Sequence, residues 1–168
     1  MDITLTLVEH HVWLVGQLVD RVERRQALLD RPVQDGLDDK PTVRSLLDVL
    51  VGQLEMWLDS VDGTPAGTDA GTTPADLRKR LADAGPRFVE LTRRVVAEDR
   101  TEEVFRDGPE DHPSVFTYGG MIAHALSFGA HRRSLVIAVL AADGVDDLRN
   151  GDPMLYFSEV RDQADHRG

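Results

Sequence analysis

The chain has 168 residues, which is enough for one domain with a hydrophobic core. It contains no cysteine, and this excludes disulfides, thiolate metal ligands and a cysteine nucleophile. Its 19 Lys and Arg against 30 Asp and Glu give a formal net charge of −11, which disfavours binding to nucleic-acid phosphates. We see no membrane-spanning apolar run and no secretory signal, so we expect a cytoplasmic protein with no membrane or nucleic-acid partner.

Helical periodicity dominates the sequence, and few segments alternate as strands do. The first predicted helix covers residues from about 2 to 29, and Pro32 is expected to end it, because proline disfavours helix in the residue before it. One continuous apolar stripe runs along this helix. It consists of Leu7, His11, Leu14, Leu18 and Val22.

Two further helices are predicted next along the chain. The second covers about 42–61, with Val49, Gln53 and Trp57 flanking its leucine-rich face. The third covers about 73–98, because Thr73 can cap it and Pro74 suits the first helical position. The pair Gly85-Pro86 predicts a kink or break within it.

The fourth predicted helix covers about 117–143, and Gly144 stops it. Before it lies a mostly irregular segment with a short extended piece at 103–106. After it come a turn at 150–153 and a short tail in which a further short helix fits. Four amphipathic helices and one long crossover predict an all-α four-helix bundle, in a single domain of residues 1–168.

Histidines on the first and fourth helices are the main candidates for chemistry. His11 lies in the apolar stripe, whereas His10 is predicted to be exposed on the adjacent face. His124 and His131 share one side of the fourth helix, about two turns or ~10 Å apart. Imidazoles that bind one metal ion prefer a spacing of three or four residues. The spacing therefore favours packing for His11, His124 and His131, with a displaced metal site as the alternative.

Other polar side chains are weaker candidates. His131 and Glu55 are the residues that could act as a general base, although an exposed helical glutamate is the simpler interpretation of Glu55. Gln53 and Trp57 are candidates for lining a pocket, and Trp57 also suits plain packing. Arg132 and Arg133 could hold a carboxylate in a guanidinium fork, or pair with the protein's own acidic residues.

Three segments together resemble the DinB-like superfamily, which includes bacillithiol and mycothiol S-transferases and mycothiol-dependent maleylpyruvate isomerases. They are EHHVWLVGQLVDRV, TVRSLLDVLVGQLEMW and FTYGGMIAHALSFGAHRRSLVIAVLAADG, followed by the turn Gly151-Asp152-Pro153. The resemblance covers nearly the whole chain. It implies an up-down-down-up four-helix bundle, which agrees with the periodicity.

The family's metal pattern is a His in the second helix and a His-x-x-x-His pair in the fourth. Alignment on Gly144 puts these positions at Val49, Phe128 and Arg132, and none of these residues binds a divalent ion. His131 then takes the position before the second ligand, and Arg133 matches the arginine that follows it. The resemblance therefore implies the bundle without its usual metal triad.

We therefore expect a metal-free, homodimeric bundle that binds a small molecule or has a regulatory role, without a cofactor. The predicted ligand-binding residues are His11, Gln53, Trp57, His124, Phe128 and Arg132. The alternative is a metal-dependent enzyme of the thiol-transferase or hydrolase type. In it, His11, His124 and His131 hold zinc or nickel, and a low-molecular-weight thiol such as mycothiol is the cosubstrate, since the chain has no cysteine.

Overall fold

The structure is a computed structural model that describes residues 2–33, 41–63, 70–108 and 111–165, without the side chains of 160–165. It is mostly helical, and this confirms the predicted helical class. The elements in chain order are α1 (Ile3–Glu23), α2 (Val43–Asp62), α3 (Pro74–Ala97), β1 (Val104–Asp107), β2 (Ser114–Thr117), α4 (Tyr118–Ala142) and α5 (Pro153–Asp165). The antiparallel hairpin pairs Phe105 with Phe116 and Asp107 with Ser114. Its second strand was not predicted.

Helices α1 to α4 each begin at a side chain that accepts a hydrogen bond from an otherwise unpaired backbone N–H. Asp2 caps α1 by accepting from the Leu5 N–H at 2.9 Å. Thr117 caps α4 by accepting from the Gly120 N–H at 3.0 Å. In α2 and α3 the cap is a reciprocal capping box, formed by Thr42 with Ser45 and by Thr73 with Asp76. These local signals explain why the predicted starts lie close to the observed ones.

Helix α1 ends at Glu23, and the prediction that it continues to residue 29 was wrong. A short 3-10 helix, Gln26–Leu28, follows it. The backbone then turns so that the Arg44 N–H donates to the Leu29 carbonyl at 2.8 Å, and the Val43 N–H donates to the Arg31 carbonyl at 3.2 Å. The chain leaves the helix early because its carbonyl groups satisfy the first N–H groups of α2.

Helix α3 continues through Gly85-Pro86, so of the predicted kink or break, the break is wrong. Pro86 lies on the exposed side of the helix. Gly85 faces α1, where a Cβ atom would lie 2.6 Å from Cγ1 of Val12. The missing side chain lets α1 and α3 pack closely, and this packing holds α3 together across the proline.

The core lies between the helices, with α1 and α2 each packed against both α3 and α4. Its largest fully buried side chains include Leu14, Leu18, Leu47, Leu54, Phe88, Met121 and Leu140. Leu7, predicted on the apolar stripe of the first helix, is instead 38% exposed, and Val49, predicted to flank the leucine-rich face of the second, is 40% exposed. Both lie off the surfaces that meet neighbouring helices.

Helix α4 is the one helix in the described ranges that is long and apolar enough to span a bilayer, by length and composition alone. It packs on α1 and α2. Arg133 is buried within it, and Arg132 is half-buried. These features are consistent with the core helix of a soluble protein.

Candidate functional site

Helix α4 carries two clusters of aromatic and polar side chains, one facing α2 and the hairpin and the other facing α1. We call the first the aromatic cluster and the second the histidine-arginine cluster. The aromatic cluster consists of Gln53, Trp57, Phe105, Phe116, His124, Phe128 and Arg132. The histidine-arginine cluster consists of His10, His11 and Arg133.

Trp57 is the centre of the aromatic cluster. Its side chain is buried, and three rings meet it edge-on. The ring centroids lie 6.1 Å from Phe105, 5.3 Å from Phe116 and 5.6 Å from His124. The hairpin therefore places two phenylalanines, one buried and one exposed, against a tryptophan of α2.

A row of side chains on α4 continues this cluster toward solvent. The Gln53 amide nitrogen lies 3.1 Å from Nδ1 of His124, and because an amide N–H donates, Nδ1 accepts. The Phe128 ring lies 4.9 Å from the His124 ring, and the Arg132 guanidinium lies 3.1 Å from the centroid of Phe128. His124 is exposed, whereas Phe128 and Arg132 are half-buried.

Two polar atoms at the base of the aromatic cluster are buried and have no hydrogen-bond partner among the residues that the structure describes. They are Oε1 of Gln53, an acceptor, and Nε1 of Trp57, a donor. Buried polar groups in folded proteins are nearly always paired, so each exception needs an explanation. Both side chains contact the exposed His124, Gln53 through its amide nitrogen and Trp57 through its ring.

The histidine-arginine cluster is more deeply buried. His11 is 1% exposed, His10 4% and Arg133 8%. Arg133 donates to Nδ1 of His11, because a guanidinium has no acceptor. The Nδ1 atom of His11 is therefore unprotonated, and its ring proton lies on Nε2.

Burial controls the charges in this cluster. Burial, with the Arg133 charge and His10 adding to it, lowers the pKa of His11 to about 3. Burial and the Arg133 charge also lower the pKa of His10, opposed by the Gly151 backbone and by Asp152. Burial lowers the pKa of Arg133 to about 10, so its guanidinium stays charged at neutral pH. The cluster holds one cation beside two neutral imidazoles.

The prediction that His10 is exposed was wrong. The Trp13 ring and the Tyr156 ring of α5 each lie 6.0 Å from the His10 ring. They also lie 5.5 Å from each other, so the three rings form a covered patch on α1. The predicted tail supplies this cover, and nothing in the first helix alone indicates it.

Gly129 sets the distance between α1 and α4 at this cluster. A Cβ atom there would overlap the His11 ring and lie 3.4 Å from the Arg133 guanidinium. Gly129 and Arg133 are one turn apart on α4, so the missing side chain makes the space that both side chains use.

The structure brings together five of the six predicted ligand-binding residues, and His11 lies in the other cluster. Neither predicted general base joins them. Glu55 pairs with Arg80 of α3 at 2.7 Å, and His131 lies on the exposed face of α4. Val49, placed by the family alignment at a ligand position, is exposed, and Gln53 one turn later faces α4 instead.

The alternative metal ligands do not come together in the structure. His11 is buried against Arg133, whereas His124 and His131 are exposed. Among the residues that the structure describes, no group of three His, Asp or Glu side chains is arranged to hold a metal ion. The contact of a guanidinium with Nδ1 of His11 also disfavours a cation at that atom.

Sequence reasoning missed the roles of His10, Phe105 and Phe116, and it named Arg133 only at an alignment position and, with Arg132, as a possible carboxylate binder. The four-residue spacing of Gly129 and Arg133 is a signal that could have indicated a close helix contact. Phe105 and Phe116 carry no such signal, because their positions depend on the pairing of two short strands.

Comparison with protein-family models, with curated proteins and with solved structures finds no match to this chain. Membership of the DinB-like superfamily therefore stays a prediction, which rests on the resemblance of the segments quoted above.

Proposed function

We propose that the chain is a metal-free, small-molecule-binding protein with the up-down-down-up four-helix bundle of the DinB-like superfamily. Contacts along the helices support this order. Along α1 and α4, His11 meets Arg133 and Arg25 meets Asp143, so the contacts advance in the same direction. Contacts between α1 and α3 advance in opposite directions, with Asp20 near Arg78 and Val12 near Gly85.

The contacts between α2 and α3, the second pair of parallel helices, support the same arrangement. Arg80 of α3 pairs with Asp48 of α2 at 2.7 Å, and Arg87 pairs with Asp62 at 3.1 Å. The contacts of α2 and α3 thus advance together, as two adjacent helices that run in the same direction require. Residues 63–73 form a long connection between α2 and α3, and the structure describes residue 63 and residues 70–73 of it.

The proposed binding site is the solvent side of the aromatic cluster, and the proposed ligand is a planar aromatic carboxylate. The rings of His124 and Phe128 offer faces and edges for a planar group. Arg132 lies against Phe128 and supplies a cation for a carboxylate. The observation that carries the proposal is the buried Nε1–H donor of Trp57, which has no hydrogen-bond partner among the residues that the structure describes and which a carboxylate oxygen can accept.

The other expectations stay predictions. The metal-dependent alternative, with His11, His124 and His131 as ligands and a thiol cosubstrate, has no geometric observation in its favour. It is tested by elemental analysis of the purified protein before and after dialysis against zinc or nickel. A homodimer is tested by sedimentation equilibrium, and a cytoplasmic location by fractionation of cells that express the protein.

Fluorescence of Trp57 tests the proposed ligand class. The chain has two tryptophans, so a Trp13→Phe variant leaves Trp57 as the reporter. We expect benzoate to change its emission saturably, and Arg132→Gln to weaken binding at least about tenfold, because a charge-assisted contact is lost. His131→Gln is the matched control, since His131 lies on the exposed face.

Two results would contradict the proposed function. The first is a Trp57 emission that does not saturate with benzoate up to about 10 mM, because an affinity weaker than this is too low for a specific small-molecule site. The second is an affinity for benzamide equal to that for benzoate, because a neutral amide cannot use the charge of Arg132.

A further inference from the structure

Arg133 is a buried cation with no anionic partner among the residues that the structure describes. Arg80 differs from it, because Arg80 is only partly buried and pairs with both Asp48 and Glu55 at 2.7 Å. Arg133 contacts the neutral His11 instead. An unpaired buried charge is costly in a folded protein, so its presence needs a compensating role.

The hydrogen bonds of the histidine-arginine cluster are also incomplete. Nε of Arg133 and Nε2 of His11 are buried, and neither has a hydrogen-bond partner within the described part of the chain. Both carry a proton, because a guanidinium Nε always donates and His11 accepts at Nδ1. The two donors belong to side chains in direct contact. Nε2 of His10, also buried and unpartnered, lies on the neighbouring residue of α1.

One positive charge with an unpartnered Nε–H matches the chemistry of a small carboxylate. A carboxylate oxygen accepts this N–H, and the single negative charge of the carboxylate balances the positive charge of the guanidinium. The imidazoles add no charge, because burial keeps both neutral. The Asp152 carboxylate raises the pKa of His10 through its charge, but Asp152 is exposed and accepts a hydrogen bond from the Met154 N–H at 2.9 Å.

We propose that the histidine-arginine cluster binds a small monocarboxylate, with Arg133 as the counter-charge and the Nε–H of Arg133 as the donor. The site is separate from the aromatic cluster, because Arg133 faces α1 whereas Arg132 lies on Phe128. Gly129 makes room for the two donor side chains, and the rings of Trp13 and Tyr156 cover His10. The small size of the ligand follows from this close packing of α1 and α4.

The test is an NMR titration of the wild-type protein with sodium formate. Sodium sulfate keeps the ionic strength constant, and chloride is left out because it is itself a monoanion. The Nε–H signal of Arg133 is identified as the arginine signal that disappears in Arg133→Gln. We expect formate to shift this signal saturably and to raise the melting temperature, since a ligand that binds only the native state stabilises it.

The matched pair of variants is Arg133→Gln and Arg132→Gln, on neighbouring positions of α4. We expect Arg133→Gln to abolish the formate-dependent rise in melting temperature and Arg132→Gln to keep it. Circular dichroism establishes that each variant is folded. The wild-type titration also stands without any variant.

Two outcomes would overturn this proposal. One is a Nε–H shift that stays linear in formate up to about 0.1 M, which corresponds to no useful affinity. The other is an equal rise in melting temperature for wild type and Arg133→Gln. Failure here leaves the benzoate titration at Trp57 untouched, because that site uses Arg132 and α2.

Discussion

The aromatic cluster and the histidine-arginine cluster share one helix, yet they differ in burial, charge and packing. Arg132 and Arg133 are neighbours in sequence, but one lies half-exposed on a phenylalanine ring and the other lies buried against a histidine. Successive positions of a helix point about 100° apart, so the two arginines meet different helices. The same residue type therefore has two environments and two proposed ligands.

The two clusters also differ in their buried polar atoms that lack a hydrogen-bond partner among the described residues. In the aromatic cluster they are one acceptor and one donor at the base of an exposed surface, Gln53 and Trp57. In the histidine-arginine cluster they are nitrogens around a single buried charge. The first arrangement suits a larger ligand that approaches from solvent, and the second suits a small anion enclosed between helices.

The largest expected effect separates the two tryptophans. Trp57→Ala should lower the free energy of unfolding by about 3–5 kcal/mol, because a buried ring with three aromatic neighbours leaves a cavity. Trp13→Ala is the control, and it should cost less because Trp13 is only half-buried. Urea unfolding measures both. Equal losses would show that the aromatic cluster is no better packed than the patch on α1.

The next effect is the pH dependence of the histidine-arginine cluster. The folded pKa of His11 is about 3, below its ordinary 6.5, so the unfolded chain binds the proton first as pH falls. Stability is therefore full above pH 6.5 and should fall by about 2–3 kcal/mol between pH 6.5 and 4.5. The lowered pKa of His10 acts in the same direction.

A pair of histidine variants checks this assignment through denaturant titrations at several pH values. His11→Gln should flatten the dependence in the window from pH 6.5 to 4.5, and His131→Gln, on the exposed face, should leave it unchanged. The carboxyl groups whose pKa is lowered by partners, Glu23, Asp30 and Asp76, titrate below this window. An unchanged slope in His11→Gln would remove His11 as the source.

A smaller effect tests the close contact of α1 with α4. Gly129→Ala should destabilise the protein by about 1–3 kcal/mol, because its Cβ overlaps the buried His11 ring. Gly16→Ala is the matched control, since its Cβ would lie 3.7 Å from Leu81, an ordinary contact. There the helix propensity of alanine should stabilise by up to about 1 kcal/mol. Thermal unfolding that ranks the two variants the other way would contradict the close approach.

The smallest expected effect on stability comes from Gln53. Gln53→Leu removes a buried, unpartnered oxygen and loses one hydrogen bond to His124, so the two changes should nearly cancel, within about 1 kcal/mol. Benzoate has no N–H or O–H to donate to the Gln53 oxygen, so its binding should change little in this variant. The measurement pairs chemical unfolding with the fluorescence titration. A large loss of stability would mean that Gln53 supports the fold.

The fold was predictable wherever its signals are local. Thr42, Thr73 and Thr117 begin helices through hydrogen bonds to residues three positions ahead, so the starts of α2, α3 and α4 could be read directly from the sequence. The end of α1 could not, because the carbonyl groups of Leu29 and Arg31 bond to the next helix. The hairpin was half missed, since Ser114–Thr117 becomes a strand only through pairing with β1.

For the candidate site, the sequence by itself determined the helical class, the burial of His11 and the residue types from which a site can be built. Periodicity carries this information because one apolar stripe must face the core. Only the tertiary structure decided that Gln53 faces α4, that α5 covers His10 and that Arg133 is buried without an anionic partner among the described residues. Those outcomes depend on which helices meet and how closely, and Gly129 sets that distance through the side chain that it lacks.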